Sequence, residues 1–170
     1  MGKFFITCAL LLTNILAIGQ SYNFHQKEGD VYWQMIYEAD IDIIMMLNMS
    51  GNFEQINTFN GITTARIVPC KINLNGRPAP SVPIYLSQSN MTGFVKIQQK
   101  DKRYRVTVNQ IVFFNNNSSL GSIDESTPLE TYATKRDGTF KPIFLNSAAE
   151  ILNEALTAMF TPETDLGDDW

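Results

Sequence analysis

Few residues in this chain have the types and spacing that enzymatic chemistry requires. Its one histidine, His25, lies in a polar stretch near the N-terminus, whereas a catalytic or metal-binding histidine needs rigid neighbours that orient its ring. Two acidic pairs, Asp40 with Asp42 and Asp124 with Glu125, have the residue types that glycoside hydrolysis uses. The first pair is typical of a helix start and the second of a solvated linker. We therefore expect no enzyme, no cofactor and no metal site.

Basic residues are concentrated between positions 96 and 105. Such a cluster could bind an anionic surface, for example lipopolysaccharide phosphate or an acidic patch on a partner. The favoured interpretation is a solvated turn whose charges prevent edge-to-edge strand pairing. The candidate binding residues in this stretch are Lys96, Lys100, Lys102, Arg103 and Arg105.

Trp33 is a further candidate binding residue, because together with Tyr32 and Tyr37 it could line a ligand groove. Aromatic side chains on a strand are more often part of the core, where they bury a large apolar area. The core is the favoured interpretation for all three.

The basic cluster belongs to a predicted β-hairpin over residues 92–114, around which the chain is organised. Its two arms alternate apolar and polar residues with the period of a strand. After Asn109 and Gln110 the alternation is lost, which predicts either a bulge or burial of both faces there. Because a hairpin with one apolar face is marginally stable alone, another layer must cover it. The apolar positions are Val95, Ile97, Tyr104, Val106 and Val108.

The N-terminus predicts export. An apolar run follows Lys3 and ends at Ala17-Ile18-Gly19, which matches a signal peptide over residues 1–19 with cleavage before Gln20. The alternative is an uncleaved membrane anchor, although the run is short for a span. Cys70 is then the single cysteine of the mature chain, so we expect no internal disulfide. A buried structural thiol is the favoured interpretation, and a reactive or intermolecular thiol is the alternative. The predicted location is the periplasm or the cell surface, with no transmembrane segment after cleavage.

Residues 20–162 are predicted to form a single α+β domain, and residues 163–170 an acidic C-terminal tail. A strand is expected at 31–39, a second strand region at 61–74 and a short strand at 84–86. Residues 41–49 are predicted to form a helix capped by Asp40, with a buried strand as the alternative. Two further short segments flank a second turn at residues 136–138. The last helix begins at a predicted capping box of Ser147 with Glu150 and carries one apolar stripe. The stripe consists of Ile151, Leu152, Ala155, Leu156, Met159 and Phe160.

The chain resembles a secreted domain family of unknown function, common in Bacteroidota, with a TATA-binding-protein-like fold. The resemblance rests on a signal ending in Gly19-Gln20, the hairpin KIQQKDKRYRVTV, and the path from Pro128-Leu129-Glu130 to the helix near Ser147. The family often has an aspartate-glycine-arginine-tyrosine turn, where this chain has Lys102 instead of glycine. The resemblance implies an antiparallel sheet with helices packed on one face, and no established activity.

The formal net charge of −4 gives no general attraction to nucleic acid or to an anionic membrane. We therefore expect an exported, non-enzymatic envelope protein that binds or supports another macromolecule, either a protein or an envelope polymer and not a nucleic acid. The first alternative is a structural subunit of a larger assembly such as a phage particle. The second is a hydrolase.

Overall fold

The structure is a computed structural model that describes residues 22–114 and 126–162. The predicted signal peptide, the acidic tail and the pair Asp124 and Glu125 lie outside the described residues. The strands are β1 (Phe24–Lys27), β2 (Asp30–Glu38), β3 (Phe53–Phe59), β4 (Ile62–Ile67), β5 (Cys70–Lys71), β6 (Asn90–Lys100), β7 (Arg103–Phe114) and β8 (Ser126–Pro128). The helices are α1 (Ile43–Ser50), α2 (Ile84–Gln88), α3 (Leu129–Ala133) and α4 (Ala149–Phe160).

These strands form one antiparallel sheet in the order β1-β2-β7-β6-β4-β3. The short strands β5 and β8 pair with the ends of β6 and β7. A 3₁₀ turn at Ala79–Ser81 precedes α2, and a π-helical turn at Phe144–Ala148 leads directly into α4. The predicted α+β class, an antiparallel sheet with helices, is confirmed.

The predicted hairpin is the centre of the sheet. Strands β6 and β7 pair from Asn90↔Phe114 to Lys100↔Arg103, which leaves Asp101 and Lys102 as a two-residue turn. The left-handed backbone conformation in this turn belongs to Asp101, with φ 56°, a conformation that aspartate tolerates better than most residues. Lys102 has no positive φ, so the missing glycine is compatible with the turn.

The predicted bulge is also present. The register between β6 and β7 shifts between Thr92 and Phe94, and Gln110 on the facing strand has a φ of 50°. At this point the two strands approach closely, since a Cβ on Gly93 would lie 3.1 Å from Val108 Cγ1. An alanine at position 93 would therefore require the Val108 side chain to shift by a few tenths of an ångström.

Helix α4 covers one face of the sheet, as its apolar stripe predicts. Leu156 and Phe160 are fully buried, and the Phe160 ring stacks on that of Trp33 with centroids 6.1 Å apart. The Tyr104 hydroxyl donates a hydrogen bond of 2.7 Å to the Phe160 carbonyl. This contact joins the C-terminal end of the helix to the start of strand β7.

Some local predictions are wrong. Residues 84–86 lie in helix α2 instead of a strand. The predicted second turn is present, with helix α3 before it and an antiparallel bridge between Thr134 and Phe140 that closes it. The Ser147–Glu150 capping box is absent, because the π-helical turn extends the helix N-terminally past Ser147. The hydroxyl of Ser147 donates to the Ser81 carbonyl at 3.4 Å instead, and Glu150 pairs with Arg77.

Two corrections concern the first part of the domain. Helix α1 is capped by Asp42, whose carboxylate accepts a hydrogen bond from the Met45 N–H at 3.0 Å, and the predicted cap Asp40 lies outside the helix. The stretch around His25, expected to be loose, contributes strand β1, because Phe24 is buried in the core. Strand β3 then begins at Phe53.

Candidate functional site

The face of the sheet opposite α4 is the candidate site. On the hairpin, outward-facing residues are half-buried or exposed, whereas their inward-facing neighbours Val95, Ile97, Val106 and Val108 are buried. The outward residues of β6 and β7 pair across the hairpin as Gln98 with Arg105 and Lys96 with Thr107. Helices α1 and α4 pack on the other face, so within the described residues this side of the sheet is open.

Basic side chains are concentrated on this open side. Strand alternation places side chains two residues apart on the same face, roughly 7 Å from one another. Glu38, opposite Arg103, and Glu54, opposite Arg66, are the acidic residues of this part of the face. We call the following group the basic face: Arg66, Lys96, Lys100, Arg103 and Arg105.

Two hydrogen bonds between neighbouring strands position side chains in the middle of this surface. The Arg105 guanidinium donates to the Gln98 side-chain carbonyl at 2.7 Å, and the Gln34 side-chain amide donates to the Thr107 hydroxyl at 3.0 Å. Both bonds cross between strands, so Arg105 is oriented along the sheet instead of projecting freely. A positioned guanidinium loses less side-chain entropy when it binds an anion.

The cations of the basic face have no close acidic partner in the structure. Among residues 22–114 and 126–162, the carboxylates within 4 Å of a cationic nitrogen belong to Glu150 and Glu154, and both contact Arg77. Arg77 lies beside α4, away from the open side. Within the described ranges the cations of the basic face therefore form no close ion pair, which leaves them available to an anionic partner.

The structure brings four of the five predicted basic residues onto one face. Lys102 is exposed in the turn at the edge of this surface. Trp33 is fully buried, and its indole N–H donates to the Asn153 side chain at 2.9 Å. Trp33 is therefore wrong as a surface binding residue, and the favoured interpretation of this residue as core is correct. Tyr37 is also buried.

Sequence reasoning missed Arg66 and Phe94, which pair with each other across β4 and β6 on the open face. Both are half-buried. The signal for Arg66 was available, because Thr64 and Arg66 alternate with the buried Ala65 and Ile67. What the sequence does not give is which strand lies beside the hairpin, and only that neighbour brings Arg66 to Phe94.

The other candidates for chemistry remain separate. His25 is exposed on β1 and stacks on Tyr32, with ring centroids 5.3 Å apart. Within the described part of the chain, no group of three or more metal-ligating residues comes together. Cys70 is half-buried, and burial raises the pKa of its thiol, which disfavours the reactive thiolate.

The comparisons with known proteins concern the fold. No family model and no curated protein matches the sequence. A TBP-like protein from Parabacteroides distasonis is similar at 13% identity, over 80% of this chain and 94% of that chain, with a TM-score of 0.46. A DUF4468 family protein from Bacteroides ovatus is similar at 12% identity, over 84% of this chain and 93% of that chain, with a TM-score of 0.47.

The first of these names describes a TBP-like protein, as the sequence resemblance implies, whereas the second gives only a family designation. Both source organisms belong to the bacterial group of that resemblance. Neither name states an activity, so the similarity leaves the function to be argued from the surface itself. In the described residues, no helix has both the length and the apolar character needed to cross a bilayer.

Proposed function

We propose that the protein is an exported, non-enzymatic binding protein of the bacterial envelope, and that the basic face holds an anionic, phosphate-bearing envelope polymer. The observation that carries the proposal is an array of five cations on an open sheet face, without an acidic partner within 4 Å in the described residues. A flat array of this kind suits an extended ligand with repeated charges better than a small molecule, which needs a concave pocket.

The electrostatics support a local attraction in a protein that is acidic as a whole. Five cations and two carboxylates share this part of the face, whereas the complete chain has a formal charge of −4. Attraction between exposed charges decays over roughly 10 Å at ordinary salt concentrations. The polymer would therefore bind to this face and be repelled elsewhere.

The experiment measures binding of the purified protein to phosphatidylcholine vesicles that contain lipopolysaccharide, with plain phosphatidylcholine vesicles as the reference. The test variant is Lys96→Ser/Lys100→Ser/Arg105→Ser. Each cation near an anionic surface contributes about 1 kcal/mol, so the affinity should decrease roughly a hundredfold. Raising the salt concentration should weaken binding of the unmodified protein in the same direction.

A matched control removes the same charges elsewhere. Lys71→Ser/Lys135→Ser/Arg136→Ser also replaces two lysines and one arginine, all exposed and outside the basic face. Its binding should decrease far less. Equal losses for both variants would show that overall charge and not this face is responsible. Tight binding of a single-stranded DNA oligonucleotide at physiological salt would contradict the expectation that nucleic acid is not the partner.

The alternative role, a subunit of a larger assembly, is distinguished on the same sample. Native mass spectrometry of the protein without vesicles should give the mass of one chain if it is a separate binding module. A discrete higher oligomer would favour the assembly role.

A further inference from the structure

A second surface feature, separate from the basic face, is a cleft between the proline-rich loop at residues 80–83, helix α3 and the start of the C-terminal helical segment. Its volume is about 440 Å³, which lies within the usual range for small-ligand sites. The residues that matter for the argument are Val82, Tyr85, Tyr132, Lys141, Phe144 and Ser147.

One side of the cleft is a fixed aromatic wall. The rings of Tyr85 and Tyr132 stack face to face, with centroids 3.8 Å apart and planes 1° from parallel. Phe113 packs edge-on against both rings, at 5.1 Å and 5.9 Å. Because three rings hold one another, this wall is formed before any ligand arrives.

The remaining walls are mainly apolar. Val82 and Phe144 are buried beneath the cleft. Ile143, at the rim, is 72% exposed. Removing an isoleucine side chain from water is favourable. An apolar chain lying in the cleft would cover this side chain together with the ring edges.

Lys141 supplies the single charge of the lining. Its ammonium donates a hydrogen bond of 2.7 Å to the Thr131 carbonyl, which fixes the head of the side chain and leaves further N–H groups available. No aspartate or glutamate is among the described residues that line the cleft. Burial, with a smaller effect from Tyr132, raises the pKa of Tyr85, so its hydroxyl remains a neutral hydrogen-bond donor.

From the apolar walls, the positioned ammonium and the lack of lining carboxylates, we infer that this cleft binds an amphipathic carboxylate, an apolar chain carrying one acidic group. The carboxylate accepts hydrogen bonds from the Lys141 ammonium, and the chain lies along the tyrosine wall toward Ile143. This site is independent of the polymer-binding role, since none of its lining residues belongs to the basic face.

The experiment titrates the full chain with octanoate and, separately, with octanol, while the backbone amide signals are followed by NMR. Octanoate should shift the signals of residues around Ser147 and should bind more tightly than octanol. Lys141→Gln should weaken octanoate binding by about tenfold or more, since a hydrogen bond to a charged group is removed. Lys141→Arg should retain most of the affinity.

Two further variants separate ligand binding from folding. Ser147→Trp places a large ring in the cleft and should abolish octanoate binding while the melting temperature reports that the protein is folded. Lys135→Gln removes an exposed lysine that does not line the cleft and should bind octanoate normally. Equal affinities for octanoate and octanol, an unchanged affinity in Lys141→Gln, or signal shifts confined to the basic face would each overturn the inference.

Discussion

The two faces of the β6–β7 hairpin share one backbone but differ in the burial and polarity of their side chains. Val95 and Val106 point toward α4 and are fully buried, while their neighbours Lys96 and Arg105 point away from it. Both sets lie on the same two strands and share the same register. The inner face is therefore expected to determine stability, and the outer face can change its charge without changing the fold.

The inner face of the sheet is covered by helix α4 and bonded to it. Tyr37 and Tyr104 stack with ring centroids 4.9 Å apart, and both hydroxyls donate to backbone carbonyls of α4, at Thr157 and Phe160. Helix and sheet are thus joined by apolar packing and by hydrogen bonds at the end of the helix. Nothing comparable covers Lys96 or Arg105 in the described residues.

The largest expected effect is on the covered side. Leu156→Ala should reduce the free energy of unfolding by about 2–5 kcal/mol, because it leaves a cavity at a fully buried site. The matched change on the other face is Ile36→Ala, at a residue that is 58% exposed. Its effect should stay near the usual surface range of about 0.5 kcal/mol. Urea denaturation of both variants measures the difference.

Similar losses of unfolding free energy in these two variants would contradict the proposed difference between the two faces. They would mean that the outer face is also covered in solution, either by residues outside the described ranges or by a second copy. A measured mass in solution would then separate these two cases.

A smaller effect is expected at the polar junction between the layers. Tyr104→Phe removes the donor to the buried Phe160 carbonyl while keeping the ring, so about 1–3 kcal/mol of stability should be lost. The control is Tyr32→Phe on the outer side, where the ring is half-buried and the loss should be smaller. Urea denaturation near neutral pH measures both changes.

The same hydroxyl predicts a dependence on alkaline pH. Burial raises the pKa of Tyr104 to about 12, above the value of about 10 for an exposed tyrosine. The unfolded chain therefore loses this proton first, and the stability contributed by the neutral hydroxyl decreases as the pH rises from 10 to 12. Tyr104→Phe should show a shallower decrease over that range. An identical slope would place the alkaline sensitivity in other tyrosines.

Sequence reasoning was most successful where one period extends over many residues. The hairpin alternates over two full strands, and the stripe of α4 repeats over three turns, so the tertiary packing only confirms what the pattern requires. Short segments gave no such signal. Residues 84–88 follow Pro83, which suits the first turn of a helix, yet five residues are too few to distinguish a helix from a strand by period.

The prediction that the last helix begins at Ser147 was wrong for a different reason. Ser147 and Glu150 have the spacing of a capping box, but tertiary contacts compete for both side chains. Ser147 bonds to the loop at Ser81, and Glu150 pairs with Arg77. Neither partner is near in sequence. For the same reason, Arg66 could be placed on an outward face but not beside the hairpin, since strand order follows from packing and not from local pattern.

The smallest expected effect concerns the tip of the hairpin. Lys100→Ser/Lys102→Ser/Arg103→Ser removes three exposed cations, and exposed charges typically contribute about 0–1 kcal/mol as ion pairs. In the described residues none of the three lies within 4 Å of a carboxylate, so the melting temperature should be nearly unchanged.

Asp101→Val in the same turn provides the contrast. A β-branched residue at a φ of 56° is strained by roughly 1–2 kcal/mol, so this variant should melt several degrees lower although it alters only one residue. Thermal denaturation followed by circular dichroism measures both variants. If the triple variant were the less stable one, the charges of the tip would be part of the fold, and the separation between a stabilising inner face and a freely variable outer face would fail at this end of the hairpin.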